Sequence, residues 1–180
     1  QTPDYVLPAT ACLLQHRLGL PTTTAAFDVG MGCSGYVYGL WLAFSLIRDR
    51  GRALLCVGDT STRLINPDDR GTFPLFGDAG SATLVAASPD DSLACFELGT
   101  DGAGGPHLIV RNTGFRCGAG NLNGPEWPPR LEMNGAEVFA FTLKTVPPLI
   151  ERVVAAAQWT WDTIDAAVFH QANAFMLEHL

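Results

Sequence analysis

Residues 26–38 read Ala-Phe-Asp-Val-Gly-Met-Gly-Cys-Ser-Gly-Tyr-Val-Tyr, and the fold follows from how this stretch is parsed. The apolar run formed by Ala25, Ala26, Phe27 and Val29 predicts a buried strand. It breaks into small residues at Gly30, Gly32, Cys33, Ser34 and Gly35, then passes into Tyr36–Ile47. That segment is long enough for a helix and apolar nearly all round, which predicts a buried helix. Cys33 therefore falls at a strand-to-helix turn, close to a helix N-terminus. Free N–H groups and partial positive charge at such an end favour thiolate over thiol, and the thiolate is the nucleophile. Small neighbours leave room for a carbonyl to approach both the sulfur and the backbone N–H groups.

Two other readings of the stretch stay open. Free cysteines are among the most buried residues and are commonly inert. Gly30-x-Gly32-x-x-Gly35 also matches the dinucleotide fingerprint, with Asp59 after the next apolar strand as the acidic partner of a ribose.

The 180 residues suit one domain or parts of two, with room for a core. With 47% hydrophobic and 16% charged residues, the composition fits elements covered on both faces. A formal charge of −7 argues against nucleic acid as a partner. No uninterrupted apolar run reaches the roughly 18 residues of a membrane span; Tyr36–Ile47, between Gly35 and Arg48, is too short. Neither a membrane nor a leader peptide is expected. The five cysteines are odd in number, widely spaced and without C-x-x-C, which argues against a disulfide scaffold or a zinc site and for a reducing cytoplasm. The chain opens on Gln1 and stops at Leu180 in mid-pattern, and is read as a piece of a longer protein.

Along the chain, Ala9–Leu18 has helical spacing and ends at Gly19 and Pro21. The buried helix is predicted to run to about Asp49, with Gly51 ending it. Ala53–Val57 is continuously apolar and predicts a strand buried on both faces, with Cys56 as plain core. Asn66–Gly71 is a polar turn, Ser81–Ala87 a strand, Ser88–Asp91 a turn and Leu93–Leu98 a further strand. Thr100–Gly105 and Cys117–Gly124 are Gly-rich but lack the G-K-[ST] ending of a phosphate loop. Asn134 and Glu137 have capping-box spacing and open a long helix, which Pro147 and Pro148 should kink. Ala166–Phe169 is a predicted strand that leads into His170-Gln171-Ala172-Asn173 and another helix. Strand and helix in alternation predict an α/β layered fold with parallel strands. Ligands in such sheets sit beyond the carboxyl ends of strands, where Cys33 and His170 both fall. Equivalent placement of two useful side chains predicts two related halves, residues 1–91 with the nucleophile and 92–180 with the histidine.

With both residues placed, the chain resembles the ketoacyl synthase III family (β-ketoacyl-acyl carrier protein synthase III) of the thiolase superfamily. The resemblance is carried by Thr2-Pro3-Asp4-Tyr5 with Pro8, Phe27-Asp28-Val29, and Cys33-Ser34-Gly35-Tyr36. It continues in Asp69-Arg70-Gly71-Thr72, Leu75-Phe76-Gly77-Asp78-Ala79-Gly80, Met133-x-Gly135 with Glu137-Val138-Phe139, and His170-Gln171-Ala172-Asn173. It covers nearly the whole chain and implies a thiolase-like layered fold with two related mixed-sheet halves, here incomplete at both ends.

The resemblance also implies an activity. Cys33 takes an acyl group from an acyl-CoA. A malonyl thioester, on acyl carrier protein or CoA, then loses CO2 and condenses with the acyl-Cys33 carbonyl, with His170 as a donor to the malonyl thioester oxygen. The matched positions place Arg70 against the CoA adenine and Asn173 along the pantetheine channel. Phe76, Gly135 and Phe139 are implied as further substrate contacts. Leu7 matches a position that floors the partner's acyl pocket across a homodimer interface. A second asparagine donor is expected beyond Leu180, so the 180 residues alone are expected not to turn over. No cofactor besides these substrates is implied. Basic residues common in the family around the long helix and after His-Gln-Ala-Asn are replaced here by Ala140 and Phe175, and Ala136 replaces a polar residue. These departures leave open an acyltransferase of secondary metabolism with a non-carrier acceptor. A dinucleotide-dependent oxidoreductase is the remote alternative, since it explains neither Cys33 nor His170–Asn173.

Overall fold

The computed structural model describes residues 1–47, 51–88, 94–111, 113 and 130–180. These fall into two compact units, Gln1–Thr60 with Asp78–Asp90, and Ser61–Gly77 with Asp91–Leu180.

The first unit opens with helix α1, Thr10–Arg17. It stops where expected, because Gly19 takes a left-handed φ of 65° that an L side chain resists. Helix α2 spans Gly35–Leu46. Strand β1, Arg52–Thr60, pairs antiparallel with β2, Asp78–Ala86, in a register that sets Leu54 opposite Leu84, Cys56 opposite Ala82 and Gly58 opposite Gly80. The predicted end of α2 near Asp49 lies outside the described residues.

Exposure along β1 alternates with a period of two. Ala53, Leu55 and Val57 are half-buried on one face, while Leu54, Cys56 and Gly58 are exposed on the other. The half-buried face packs on α2. Gly39 of α2 is buried, and a Cβ built there would sit 2.5 Å from Leu55 Cδ1. The missing side chain lets helix and strand approach closely. Tyr36 Oη also lies 3.3 Å from Thr83 Oγ1 of β2. The reading of Ala53–Val57 as buried on both faces, with Cys56 as core, is therefore corrected: one face has a helix on it and the other has none among the described residues. A continuous apolar run reports the residues' hydrophobicity, not which layers are present to cover them. The same holds for α2, where only Gly39 and Ala43 are buried and Tyr36, Val37, Trp41, Phe44 and Leu46 are exposed.

The second unit pairs the short strands β3, Leu108–Val110, and β4, Leu131–Met133, again antiparallel. Helix α3 runs Gly135–Ala156 and helix α4 Ala174–Leu177. Asn134 caps α3, its side-chain oxygen accepting the Glu137 N–H at 3.3 Å. Helical structure continues through Pro147 and Pro148. Part of the predicted Thr100–Gly105 loop is a 3-10 turn, Gly102–His107. Cys117–Gly124 lies outside the described residues.

The expectation of parallel strands is corrected, since both described pairings are antiparallel. Three predicted strands, Ala25–Val29, Leu93–Leu98 and Ala166–Phe169, carry no ladder among the described residues; Leu93 itself lies outside them. A strand exists only with a neighbour that takes its N–H and C=O groups. In residues 25–29 the chain is tied to α1 instead. Asp28 accepts the Thr10 and Ala11 N–H groups at 2.8 and 2.7 Å, and Cys12 Sγ donates to the Ala26 carbonyl at 3.6 Å.

Candidate active site

Cys33 sits two residues before α2, exposed, on a turn closed by Gly35 N–H to the Gly32 carbonyl at 2.7 Å. Ser34 is the residue before the first helical turn, and its side chain makes no capping bond. The helix end is therefore not quenched by its own cap, and its N–H groups remain the local source of positive potential. Neither Gly30 nor Gly32 adopts a positive φ. A Cβ at Gly30 would meet nothing within 4 Å, whereas one at Gly32 would strike the Gln1 side chain at 2.6 Å.

The fingerprint reading fails on Asp59. Its carboxylate accepts Thr2 N–H at 2.8 Å and Thr2 Oγ1–H at 3.0 Å, so it is committed within the unit rather than free for a ribose. The stretch before Gly30 also forms no ladder among the described residues, where the fingerprint requires a strand. Leu7, the other candidate in the first unit, is 85% exposed.

The remaining candidates belong to the second unit. His170 is exposed, and the Ala172 N–H bonds its carbonyl at 3.0 Å, curling the chain just before α4. Asn173 caps α4, its Oδ1 accepting Met176 N–H at 2.8 Å. That bond fixes how His170-Gln171-Ala172 enters the helix. Phe139 of α3 lies against α4, its ring 5.3 Å from Phe175 and 5.9 Å from His179, and the Phe175 and His179 rings are 4.3 Å apart. Gly135 is the first residue of α3, exposed, with open space where a Cβ would be. α3 and α4 thus bring Phe139 and Asn173 to neighbouring elements.

Arg70 is exposed at the apex of the Asn66–Thr72 turn. Two side chains shape this turn. Asn66 Oδ1 accepts Asp68 N–H at 3.1 Å, and Asp69 Oδ1 accepts Gly71 and Thr72 N–H at 3.0 and 3.2 Å. Bonds from Thr72 and from the Gly71 N–H hold the Asp69 carboxyl below its ordinary 3.8. Ile65, 1% exposed, anchors the base, with its carbonyl accepting Arg130 Nη1–H at 2.9 Å. Phe76 follows, half-buried and extended, after the short Phe73–Leu75 turn.

The bonds that Asp69 makes and the contact between Phe175 and His179 were not read from sequence. Asp69 was legible in principle, because an Asx residue two before a glycine is a turn signal. The aromatic cluster depends on α3 meeting α4 and left no local signal. A small apolar hollow of about 180 Å³ lies elsewhere in the unit, lined by Cys95, Val153, Val154, Ala157, Trp159 and Ile164. At 1.5 Å per residue it is roughly 20 Å along α3 from Phe139, and none of the candidate residues lines it.

The model of 3-oxoacyl-[acyl-carrier-protein] synthase III matches residues 27–102, a span that contains Cys33, Arg70 and Phe76. A putative 3-oxoacyl-[acyl-carrier-protein] synthase 3 of Campylobacter jejuni is 35% identical over 99% of this chain and 53% of its own length. Over nearly its whole length the chain is similar to ketoacyl synthase III proteins. A crystal structure of a 3-oxoacyl-(acyl-carrier-protein) synthase III superposes with a TM-score of 0.87 at 45% identity, covering 99% of this chain and 57% of that one. The priming β-ketosynthase of the R1128 polyketide pathway gives 0.85 at 25% identity, covering 99% and 53%. The chain spans about half the length of the curated relatives it matches. Its fold is thiolase-like, with mixed helix and sheet, as the resemblance implied. The comparisons favour neither the oxidoreductase nor the non-carrier acyltransferase. Among the described residues no helix is long and apolar enough to cross a membrane.

Proposed function

We propose that the protein transfers an acyl group from an acyl-CoA to Cys33 and then condenses it with a malonyl thioester, as a ketoacyl synthase III of fatty acid or polyketide biosynthesis. The observation that carries this reading is Cys33 itself, exposed on a small-residue turn against the uncapped start of α2. In the first step the Cys33 thiolate attacks the thioester carbonyl. Charge collects on the carbonyl oxygen, backbone N–H groups at the turn stabilise it, and CoA leaves as its thiolate. In the second step the malonyl carboxylate leaves as CO2, and its bonding pair moves into the thioester enolate. A ring N–H of His170 donates to that enolate oxygen. The carbanion attacks the acyl-Cys33 carbonyl, a carbon–carbon bond forms, and the sulfur departs as the thiolate it began as.

Arg70 takes the nucleotide end of the CoA, where a guanidinium can stack on adenine and pair with phosphate. Asn173, Phe139, Gly135 and Phe76 line the way for the pantetheine arm and the acyl chain. Leu7 belongs to the acyl pocket of a partner copy in a homodimer. The two halves divide near residue 91, the location is the cytoplasm, and the substrates are the only small molecules required. The acceptor arrives as malonyl-acyl carrier protein or malonyl-CoA.

The test is to incubate the protein with a series of acyl-CoAs and measure intact mass, then map the modified peptide. A mass increase of one acyl group on Cys33, with free CoA released in equal amount, is the expected result. An unmodified Cys33 across the whole series, or an adduct on Cys12 or Cys56 instead, overturns the proposal.

A further inference from the structure

We propose that Asp69 is a positioning residue for Arg70: by spending its carboxylate on the turn's backbone it holds the turn in shape and leaves the Arg70 guanidinium unpaired for the nucleotide of an acyl-CoA. The inference rests on the reading of Arg70 given above.

Arg70 follows two carboxylates, Asp68 and Asp69, either of which is close enough in sequence to compete for it. Among the described residues no ion pair involves Arg70. The geometry shows where the nearer carboxylate goes. Asp69 Oδ1 accepts the Gly71 N–H at 3.0 Å and the Thr72 N–H at 3.2 Å, one bond on each of the two residues that follow Arg70. The Asp69 carbonyl adds bonds from Thr72 N–H at 3.3 Å and Phe73 N–H at 2.9 Å. The chain on the C-terminal side of Arg70 is thus clamped by one residue, through both its side chain and its backbone. The N-terminal side is fixed by the Asp69 N–H to the Asn66 carbonyl at 3.0 Å.

The clamp has a firm base. Thr72 is 4% exposed and Ile65 1%, whereas Arg70 between them is exposed. A Cβ at Gly71 would meet Asp69 Oδ1 at 3.4 Å, so the carboxylate lies close over the turn. Backbone N–H donors satisfy a carboxylate without adding a positive charge to the neighbourhood. The turn is therefore held by its own hydrogen bonds while its one cation keeps its charge for a phosphate.

The experiment compares two acyl donors, acyl-CoA and the corresponding acyl-pantetheine, which lacks the nucleotide. Donor-dependent acylation of Cys33 is followed in the full-length protein and in Arg70→Ala, Asp69→Ala and Asp69→Asn. Asp69→Ala should raise KM for acyl-CoA about tenfold with kcat within about twofold, because loss of charged bonds frees the turn without touching the reacting atoms. Asp69→Asn keeps an acceptor oxygen in the same place and should recover KM to within about threefold of wild type. With acyl-pantetheine all the proteins should share one KM. An equal rise in KM for both donors makes Asp69 a general structural residue and overturns the inference. So does an unchanged acyl-CoA KM in Asp69→Ala when Arg70→Ala raises it. If Arg70→Ala itself leaves that KM unchanged, the assignment of Arg70 to the nucleotide fails and this inference falls with it, while Cys33 acylation stands independently.

Discussion

Gly39 is the point where α2 rests on β1, and α2 carries Cys33 at its N-terminal end. Replacing it by alanine sets two effects of opposite sign against each other. In an isolated helix, alanine is favoured over glycine by about 1 kcal/mol. In this helix the new Cβ would sit 2.5 Å from Leu55 Cδ1 and 3.0 Å from Cδ2. Carbon atoms attract best at roughly 3.5–4 Å, so the shortfall is about 1 Å. Leu55 points at α2 from the half-buried face of β1, and a rotamer change would lift it off the helix. Overpacking of this kind costs about 1–3 kcal/mol. The balance is a net loss of about 1 kcal/mol and a fall in Tm of roughly 2–4 °C. The decisive measurement repeats Gly39→Ala in a Leu55→Ala background, by denaturant and thermal unfolding of the purified protein. With the clash removed, only the helical preference remains, and the same substitution should stabilise by up to about 1 kcal/mol. The sign of the effect should therefore reverse between backgrounds. A Gly39→Ala protein that is more stable than wild type while Leu55 is intact would refute the argument that this glycine sets the helix-to-strand distance.

Other outcomes follow from the site. Cys33→Ala should abolish the acyl adduct at every chain length, read by intact mass. His170→Ala should leave Cys33 acylation in place but slow condensation with the malonyl thioester by about 10²–10³-fold, as loss of one donor to a developing enolate does; rapid-quench separation of the two half-reactions reads it. The depressed carboxyl of Asp69 contributes stability that is fully present above its ordinary 3.8 and is lost as pH falls through its lower folded value. The stability gap between wild type and Asp69→Ala should thus be flat at neutral pH and close in acid, measured by urea unfolding across pH. A gap that widens below pH 3.8 contradicts the direction of the shift. Leu7→Phe should shorten the longest acyl-CoA accepted, and a chain-length panel indifferent to the change removes Leu7 from the acyl pocket.

Local signals were legible wherever one residue's chemistry decides a short-range structure. Gly19 ended α1, Asn134 capped α3, and the small residues around Cys33 made a turn that opens a helix. Layering was not legible. Ala53–Val57, Ala25–Val29 and Ala166–Phe169 all read as apolar strands, yet only the first has a partner among the described residues. Val168 is 93% exposed where its hydrophobicity alone predicted burial.

The sequence by itself determined the turns and helix ends, because a cap or a left-handed glycine acts through bonds a few residues long. It also carried the likeness to ketoacyl synthase III proteins, through motifs spread along the chain. Tertiary structure alone decided strand direction, which face of β1 is covered, and that Asp59 spends its carboxylate on Thr2. Those outcomes depend on which segments meet, and hydrophobicity along a chain carries no label for its partner.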